Sequence, residues 1–323
     1  MGKSLNTFFS TLFFLFTLFL ICCLCFGFTF SSDVLGGVNL FIASILPTLF
    51  PYFFITTILF ELKQTRLFSN KLSPLFSKFF HVGKASCFAF IVGVFSGYPI
   101  GAMTVASLKN NGFIDDGESV RSSILCSTCS PYFCLYSVGI IAFNNLSIGI
   151  VIFLIHLFCS LVVSLIFSKL NKNKTFCTKT PLPKHRDNGI FYDSVLSSAL
   201  AILCVGFIVA ITYYFLQLLS YVKALDFLSY LFCRLGLDKS LANGMSLGIF
   251  EVGLGIKNIS STLSPLSLSL TSALISFGGI SYILQSVFFL KNVKIKTAPF
   301  VSFTILKAVL SFAISFLIFS FVF

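Results

Sequence analysis

From Ser122 to Ser168 the chain carries no Asp, Glu, Lys or Arg. Water gives so long a charge-free stretch no stable exposed surface. A bilayer does, because about 20 apolar residues cross its hydrocarbon layer as one helix. The stretch therefore reads as two successive spans, divided near Asn144-Asn145. Apolar runs recur at 7–30, Asn39 to Phe60 (interrupted by Pro47 and Pro51) and Ala85 to Leu108. Others follow at Val195 to Leu219, Leu241 to Leu263, Leu266 to Leu290 and Pro299 to Phe321. Within lipid, only helices and closed barrels satisfy every backbone polar group. These runs are long rather than short and alternating, so the spans are helical. Composition agrees: 57% of residues are hydrophobic and 10% charged, against roughly a quarter charged in soluble domains. A soluble globular, disordered or disulfide-stapled secreted chain is excluded. The first run follows Lys3 and no small-x-small cleavage site closes it, so it reads as an uncleaved first span.

The net charge is +12. The basic residues sit in short loops between apolar runs, where they act as topology signals facing the cytoplasm. Nucleic acid is therefore not expected as a partner. Most of the eleven cysteines lie inside apolar runs, where cysteine packs as a small hydrophobe. Cys126 and Cys129 form a CxxC with no second pair at zinc spacing, and His81, His156 and His185 are scattered. No metal, cofactor or catalytic set is expected. No Walker A sequence or Gly-rich nucleotide loop is present, which argues against ATP hydrolysis, and no His-Glu or paired-Asp spacing lies within the spans, so the chain does not read as an enzyme. The expected partners are the lipid bilayer and a small-molecule solute, with a homo-oligomer left open.

Composition divides the chain into 1–84, N-terminal scaffold helices; 85–168, a first transport repeat; 169–190, a basic cytoplasmic linker; 191–240, a connecting span and interfacial helix; and 241–323, a second transport repeat. Each repeat holds a Gly-broken apolar segment and then a span with a polar interruption. In the first these are Gly93 to Gly101 and Cys126 to Pro131; in the second, Gly248 to Gly255 and Ser276 to Ser281. Interrupted hydrophobic segments at matching places in two halves point to a transporter site. With the N-terminus inside and both Gly-broken segments re-entrant, most of the 22 Lys and Arg fall inside. The two hairpins then enter from opposite sides. The expected fold is all-α: a polytopic helical membrane protein with two inverted repeats, each a re-entrant helical hairpin plus a broken transmembrane helix. The competing reading makes these glycines helix-packing positions.

The candidate solute-binding residues follow from the interruptions. Gly97, Pro99 and Gly101 shape the first hairpin tip beside Ser96, and Tyr98 either stacks on an aromatic ligand or anchors the tip. Ser127, Thr128 and Ser130 offer hydroxyls at the first helix break, caused by Pro131. Ser276, Gly278, Gly279 and Ser281 mark the second break. Glu251 lies mid-hairpin, where a carboxylate in hydrocarbon costs at least ~2.5 kcal/mol and is a functional candidate by default. It binds a cation, carries a proton or bonds solute, unless it simply pairs with Lys257. Lys307, deep in the last span, pairs with Glu251, neutralises an anionic solute or snorkels to the headgroups. Asp115, Asp116 and Glu118 read as a solvated connector placing charge at a helix N-terminus.

Ser96-Gly97-Tyr98-Pro99-Ile100-Gly101-Ala102 resembles the Gly-Tyr-Pro-x-Gly-Ala signature of the YlbJ-type sporulation integral membrane proteins, of the nucleoside-recognition or Gate domain group. Leu46 to Pro51, Asp115 to Arg121, Phe250-Glu251 and Ser276 to Gly279 are similar to further segments of that family. Met103, Ser127 to Pro131 and the residues after Glu251 depart from its more polar pattern, which bears on the ligand more than on the fold. The resemblance implies a fold like the concentrative nucleoside transporters. It also implies movement of dipicolinate, a small aromatic dicarboxylate, across the mother-cell-derived membrane during endospore formation. A nucleoside-type solute and a non-transporting sporulation scaffold stay as alternatives.

Overall fold

The computed structural model describes residues 27–47, 50–51, 54–55, 58, 63–171 and 190–322. The expected first span lies mostly outside the described residues, as do parts of the 39–60 run and most of the basic linker. The described residues are helical throughout, without strands. In chain order the helices are α1 (Gly27–Leu40), α2 (Lys63–Phe80), α3 (Lys84–Ser96), α4 (Ile100–Asn110) and α5 (Asp116–Leu125). Then come α6 (Phe133–Ala142, wound in wider π turns), α7 (Leu146–Leu170), α8 (Ile190–Tyr221) and α9 (Ala224–Arg234). The last five are α10 (Lys239–Gly248), α11 (Val252–Ile259), α12 (Pro265–Phe277), α13 (Gly279–Asn292) and α14 (Ala298–Val322).

Among these, α7, the 198–221 part of α8, α12 with α13, and α14 are long and apolar enough to cross a membrane. The protein is a multi-pass membrane protein. Local chemistry sets the helix ends. Asn145 accepts from the Ser147 amide at the start of α7. Ser264 and Ser267 form a reciprocal cap at the start of α12, with Pro265 at its first position, where no N–H is needed. The mixed segment expected at the interface contains α9, whose apolar and polar residues fall on opposite faces.

One order of elements occurs twice. A pair of short helices folds back on itself (α3–α4, α10–α11), a helix is broken near its middle (α5–α6, α12–α13), and a long helix closes the set (α7, α14). Glycine allows each fold-back. A Cβ on Gly93 would sit 3.4 Å from the Gly101 Cα, and one on Gly255 would sit 2.3 Å from the Gly248 Cα. The helix-packing reading of these glycines and the hairpin reading are thus both satisfied: the close approach is between the two arms of each hairpin. One apolar core joins α6, α7, α12 and α14 to α10 and α11. A second joins α3, α4 and α5 to α13 and α14.

The acidic connector is only partly the solvated run expected. Asp115 caps α5, and the exposed Asp116 pairs with Lys109 at 2.5 Å, which holds its carboxyl below the usual range. Glu118, by contrast, is completely buried. Its Oε1 accepts from the Gly83 amide at 2.7 Å and the Ser86 hydroxyl at 2.5 Å. Arg121, one turn on, donates Nε to the His81 carbonyl at 2.9 Å. A helix N-terminal carboxylate is thus used to tie α5 to the turn between α2 and α3, where the two helices meet at 101°.

Three substitutions test this packing. Gly255→Ala drives a methyl into the Gly248 backbone and should destabilise the protein by about 1–3 kcal/mol. Gly253→Ala, whose Cβ meets only the Glu251 Oε1 at 4.0 Å, should be neutral or stabilising. Glu118→Ala strands a buried amide and a buried hydroxyl and should cost about 1–3 kcal/mol. Thermal unfolding of the purified protein in detergent reads all three.

Candidate functional site

The two helix breaks release main-chain groups inside the protein, and several of these can be followed to their partners. At the first break, α5 ends at Leu125 and helical turns resume at Pro131. Pro at the first helical position gives up an N–H that has no intrahelical acceptor. The Thr128 amide donates to the Cys126 carbonyl, and the Ser130 hydroxyl accepts from the Phe133 amide. Two further groups go to distant helices. The Cys129 amide donates to Nε2 of His156 on α7 at 2.9 Å. The Ser127 carbonyl accepts from Nζ of Lys307 on α14 at 2.5 Å, and Nζ also lies 3.1 Å from the Ser127 hydroxyl.

The second break is resolved by main chain alone. Gly278 and Gly279 both take positive φ (80° and 75°), a conformation that glycine reaches without a Cβ penalty. This turns the first amides of α13 onto the tip of the α10–α11 hairpin. Ile280 donates to the Ile249 carbonyl at 2.8 Å and Ser281 to the Phe250 carbonyl at 3.0 Å. Glu251, the next tip residue, precedes α11 in extended backbone, with Ser281 and the Gly253 amide at its carboxyl.

The first hairpin tip also closes on its own break, by contact. A Cβ on Gly101 would lie 2.2 Å from the Cys126 carbonyl oxygen, and one on Gly97 2.6 Å from the Ser130 nitrogen. Tyr98, carried by this tip, places its ring 4.1 Å from that of Tyr282 on α13. The Tyr282 hydroxyl lies 2.5 Å from the Ser127 hydroxyl, so Tyr282 and Lys307 converge on one serine.

Of the residues singled out in the sequence, Tyr98, Ser127, Ser276 and Lys307 come together in one buried cluster. Thr128 and Ser130 lie beside it on the same break. The Thr128 hydroxyl and that of Ser96 are buried without a hydrogen-bond partner among the described residues. Pro99 starts α4 behind the tip. Glu251, Gly278, Gly279 and Ser281 form a second group around the other hairpin. The pairing of Lys307 with Glu251 considered from sequence does not occur, nor does Glu251 pair with Lys257: neither makes an ion pair among the described residues. Lys307 does not snorkel either, being 3% exposed.

Two members of the cluster were not singled out by sequence. His156 is fully buried and bridges the breaks: Nε2 takes the Cys129 amide while Nδ1 lies 3.0 Å from the Ser276 hydroxyl. Tyr282 is the other. A signal for His156 existed, since an ionisable side chain within a span is rare and faces the bundle interior. Cys126 and Cys129 are buried, free thiols at the first break. The cluster is polar, with a nitrogen-rich side at Lys307 and an aromatic side at Tyr98 and Tyr282.

Comparison with known proteins bears on this arrangement. The chain is 27% identical over 304 aligned positions to the sporulation integral membrane protein YlbJ of Bacillus subtilis (strain 168), covering 84% of this chain and 73% of that protein. The resemblance to the YlbJ-type proteins holds. It extends beyond the Gly-Tyr-Pro motif to most of the chain, as the sequence segments led one to expect. No protein-family model matches the chain. No solved structure matches it either.

Tyr282→Phe removes one of the two groups held by Ser127 and should lower stability by about 1 kcal/mol. Thermal unfolding of the purified variant in detergent checks this.

Proposed function

We propose that this chain is a secondary transporter of a small anionic solute during endospore formation, with dipicolinate as the leading candidate solute. The observation that carries the reading is Lys307. Its amino group is buried at a helix break and bonded only to a neutral carbonyl and a hydroxyl, and it makes no ion pair among the described residues. A buried ammonium without a counter-ion is unfavourable, and an anion brought to the site supplies one. The broken backbone supports the same reading, because such breaks survive in lipid only where protein or a cavity satisfies them. The Tyr98–Tyr282 pair places aromatic surface beside Ser127, which favours an aromatic solute over an aliphatic one. The sporulation role rests on the similarity to YlbJ.

In this reading Ser127 holds the place of the solute. Its carbonyl and hydroxyl occupy the Lys307 donors in the closed site, and a carboxylate replaces them when the solute arrives. Charge-assisted bonds are roughly twice as strong as neutral ones, so the exchange favours the anion. The expected bilayer topology, with the two hairpins opposed, lets the two sides open alternately. We read the chain as a carrier rather than an enzyme.

Uptake into proteoliposomes, comparing radiolabelled dipicolinate, a nucleoside and an aliphatic dicarboxylate, tests the reading. Dipicolinate should be accumulated, and Lys307→Met should reduce its uptake at least ~10-fold with membrane insertion unchanged, as loss of a charged hydrogen bond implies. Uptake of the nucleoside alone would move the assignment to the nucleoside class. No uptake of any of the three would leave the scaffold reading.

A further inference from the structure

His156 plays no part in the transport argument above, yet it bonds both breaks at once, through Cys129 and Ser276. Its bonding fixes its protonation. Nε2 accepts from the Cys129 amide at 2.9 Å, so that nitrogen carries no proton. The ring is then neutral, its one proton sits on Nδ1, and Nδ1 donates to the Ser276 hydroxyl at 3.0 Å. The Cys129 amide belongs to the first repeat and Ser276 to the second. The neutral ring is therefore a clasp between the two broken helices.

A proton arriving at Nε2 converts this acceptor into a donor. Two N–H groups then face each other, and the Cys129 amide is left without an acceptor in a buried site. The break must move to restore it. The imidazolium also adds a positive charge in a cluster that already contains Lys307, whose Nζ bonds Ser127, two residues from Cys129. The other groups packed around His156 do not offset that charge. Helix α12 has no ionisable side chain. The first break and α6 bring Cys126, Cys129, Cys134 and the tyrosines Tyr132 and Tyr136, and α7 itself brings Cys159. On α5, Glu118 and Arg121 are engaged at the far end with the turn at 81–83, and Asp116 with Lys109. On α2, Lys71 and Lys78 are exposed. Two adjacent cations with no carboxylate between them are stable together only when an anion joins them.

We propose that His156 is the proton-binding group of the carrier: protonation at Nε2 releases the first helix break, and the resulting pair of cations, His156 and Lys307, accepts a dicarboxylate, so that proton and solute move together. This rests on the transport reading and specifies its coupling ion. The proton balance is simple: one proton is taken from water on the loading side and returned on the other, and no covalent bond changes.

The test has two arms on the purified full chain. In the first, a neutral maleimide labels the protein in liposomes at about pH 5.5 and about pH 7.5 with dipicolinate present, so that the anion the two cations require is supplied. Mass spectrometry then compares modification of Cys129, buried in the clasp, with that of the partly exposed Cys233 on α9. Thiol reactivity falls with acidity, and the ratio to Cys233 removes that trend. The ratio should rise roughly tenfold at the lower pH, as expected for loss of a buried amide's acceptor. In His156→Gln and His156→Asn it should be independent of pH. In the second arm, dipicolinate uptake by the wild-type protein should be accelerated by an inward proton gradient, and the gradient effect should vanish in both variants. The wild-type measurements alone decide the matter if the variants fail to fold. A pH-independent ratio, or uptake indifferent to the gradient, overturns the proposal and leaves transport standing. Absence of uptake under every gradient overturns the transport reading, and the coupling role falls with it.

Discussion

An interrupted helix inside a membrane leaves main-chain donors and acceptors that lipid cannot satisfy, at several kcal/mol each. The rest of this structure is arranged around that constraint. The second break meets it with backbone: the Ile280 and Ser281 amides are received by the Ile249 and Phe250 carbonyls of the neighbouring hairpin tip. The first break meets it with side chains from two other helices, His156 and Lys307. The two sets of elements follow one order along the chain, but their breaks are chemically unlike. The second depends on two consecutive left-handed glycines, and the first on hydrogen bonds from two ionisable side chains.

Much of the architecture was legible in the sequence because glycine, proline and charge leave local marks. The Gly93 to Gly101 and Gly248 to Gly255 segments each form a folded-back pair, and Gly278-Gly279 breaks a span where expected. The mixed segment after Tyr221 contains a two-faced helix. The partners of the breaks were not legible, for a physical reason. A hydrogen bond between Lys307 and Ser127 spans 180 residues, and no local periodicity announces it. Glu118 misled in the other direction. Its place in the first turn of a helix among other acids matches a solvated cap, and only the fold shows the Gly83 amide and Ser86 hydroxyl waiting for it.

The interior carries many hydroxyls, and these place little demand on tertiary pairing. Ser160, Ser164, Ser246, Ser269, Thr271, Thr304 and Ser315 each bond a carbonyl one turn earlier in their own helix. Such side chains satisfy themselves in lipid or in protein alike. The contrast with Ser127, Ser272 and Ser276 is informative, because these bond across helices: Ser272 meets Ser311 of α14 at 2.8 Å. Abundance of serine in a span therefore says little about a polar pocket. What marks one is a hydroxyl whose partner lies on a different helix, next to a group that can carry charge.

The fit of the first hairpin tip has a mechanical consequence. With Gly97 and Gly101 pressed against bare backbone, the joint has no slack that a single rotating side chain could take up. In the transport reading proposed above, solute passes this joint only if the tip lifts away as a unit. In that reading the seam is shut or parted as a whole, because backbone meets backbone along it.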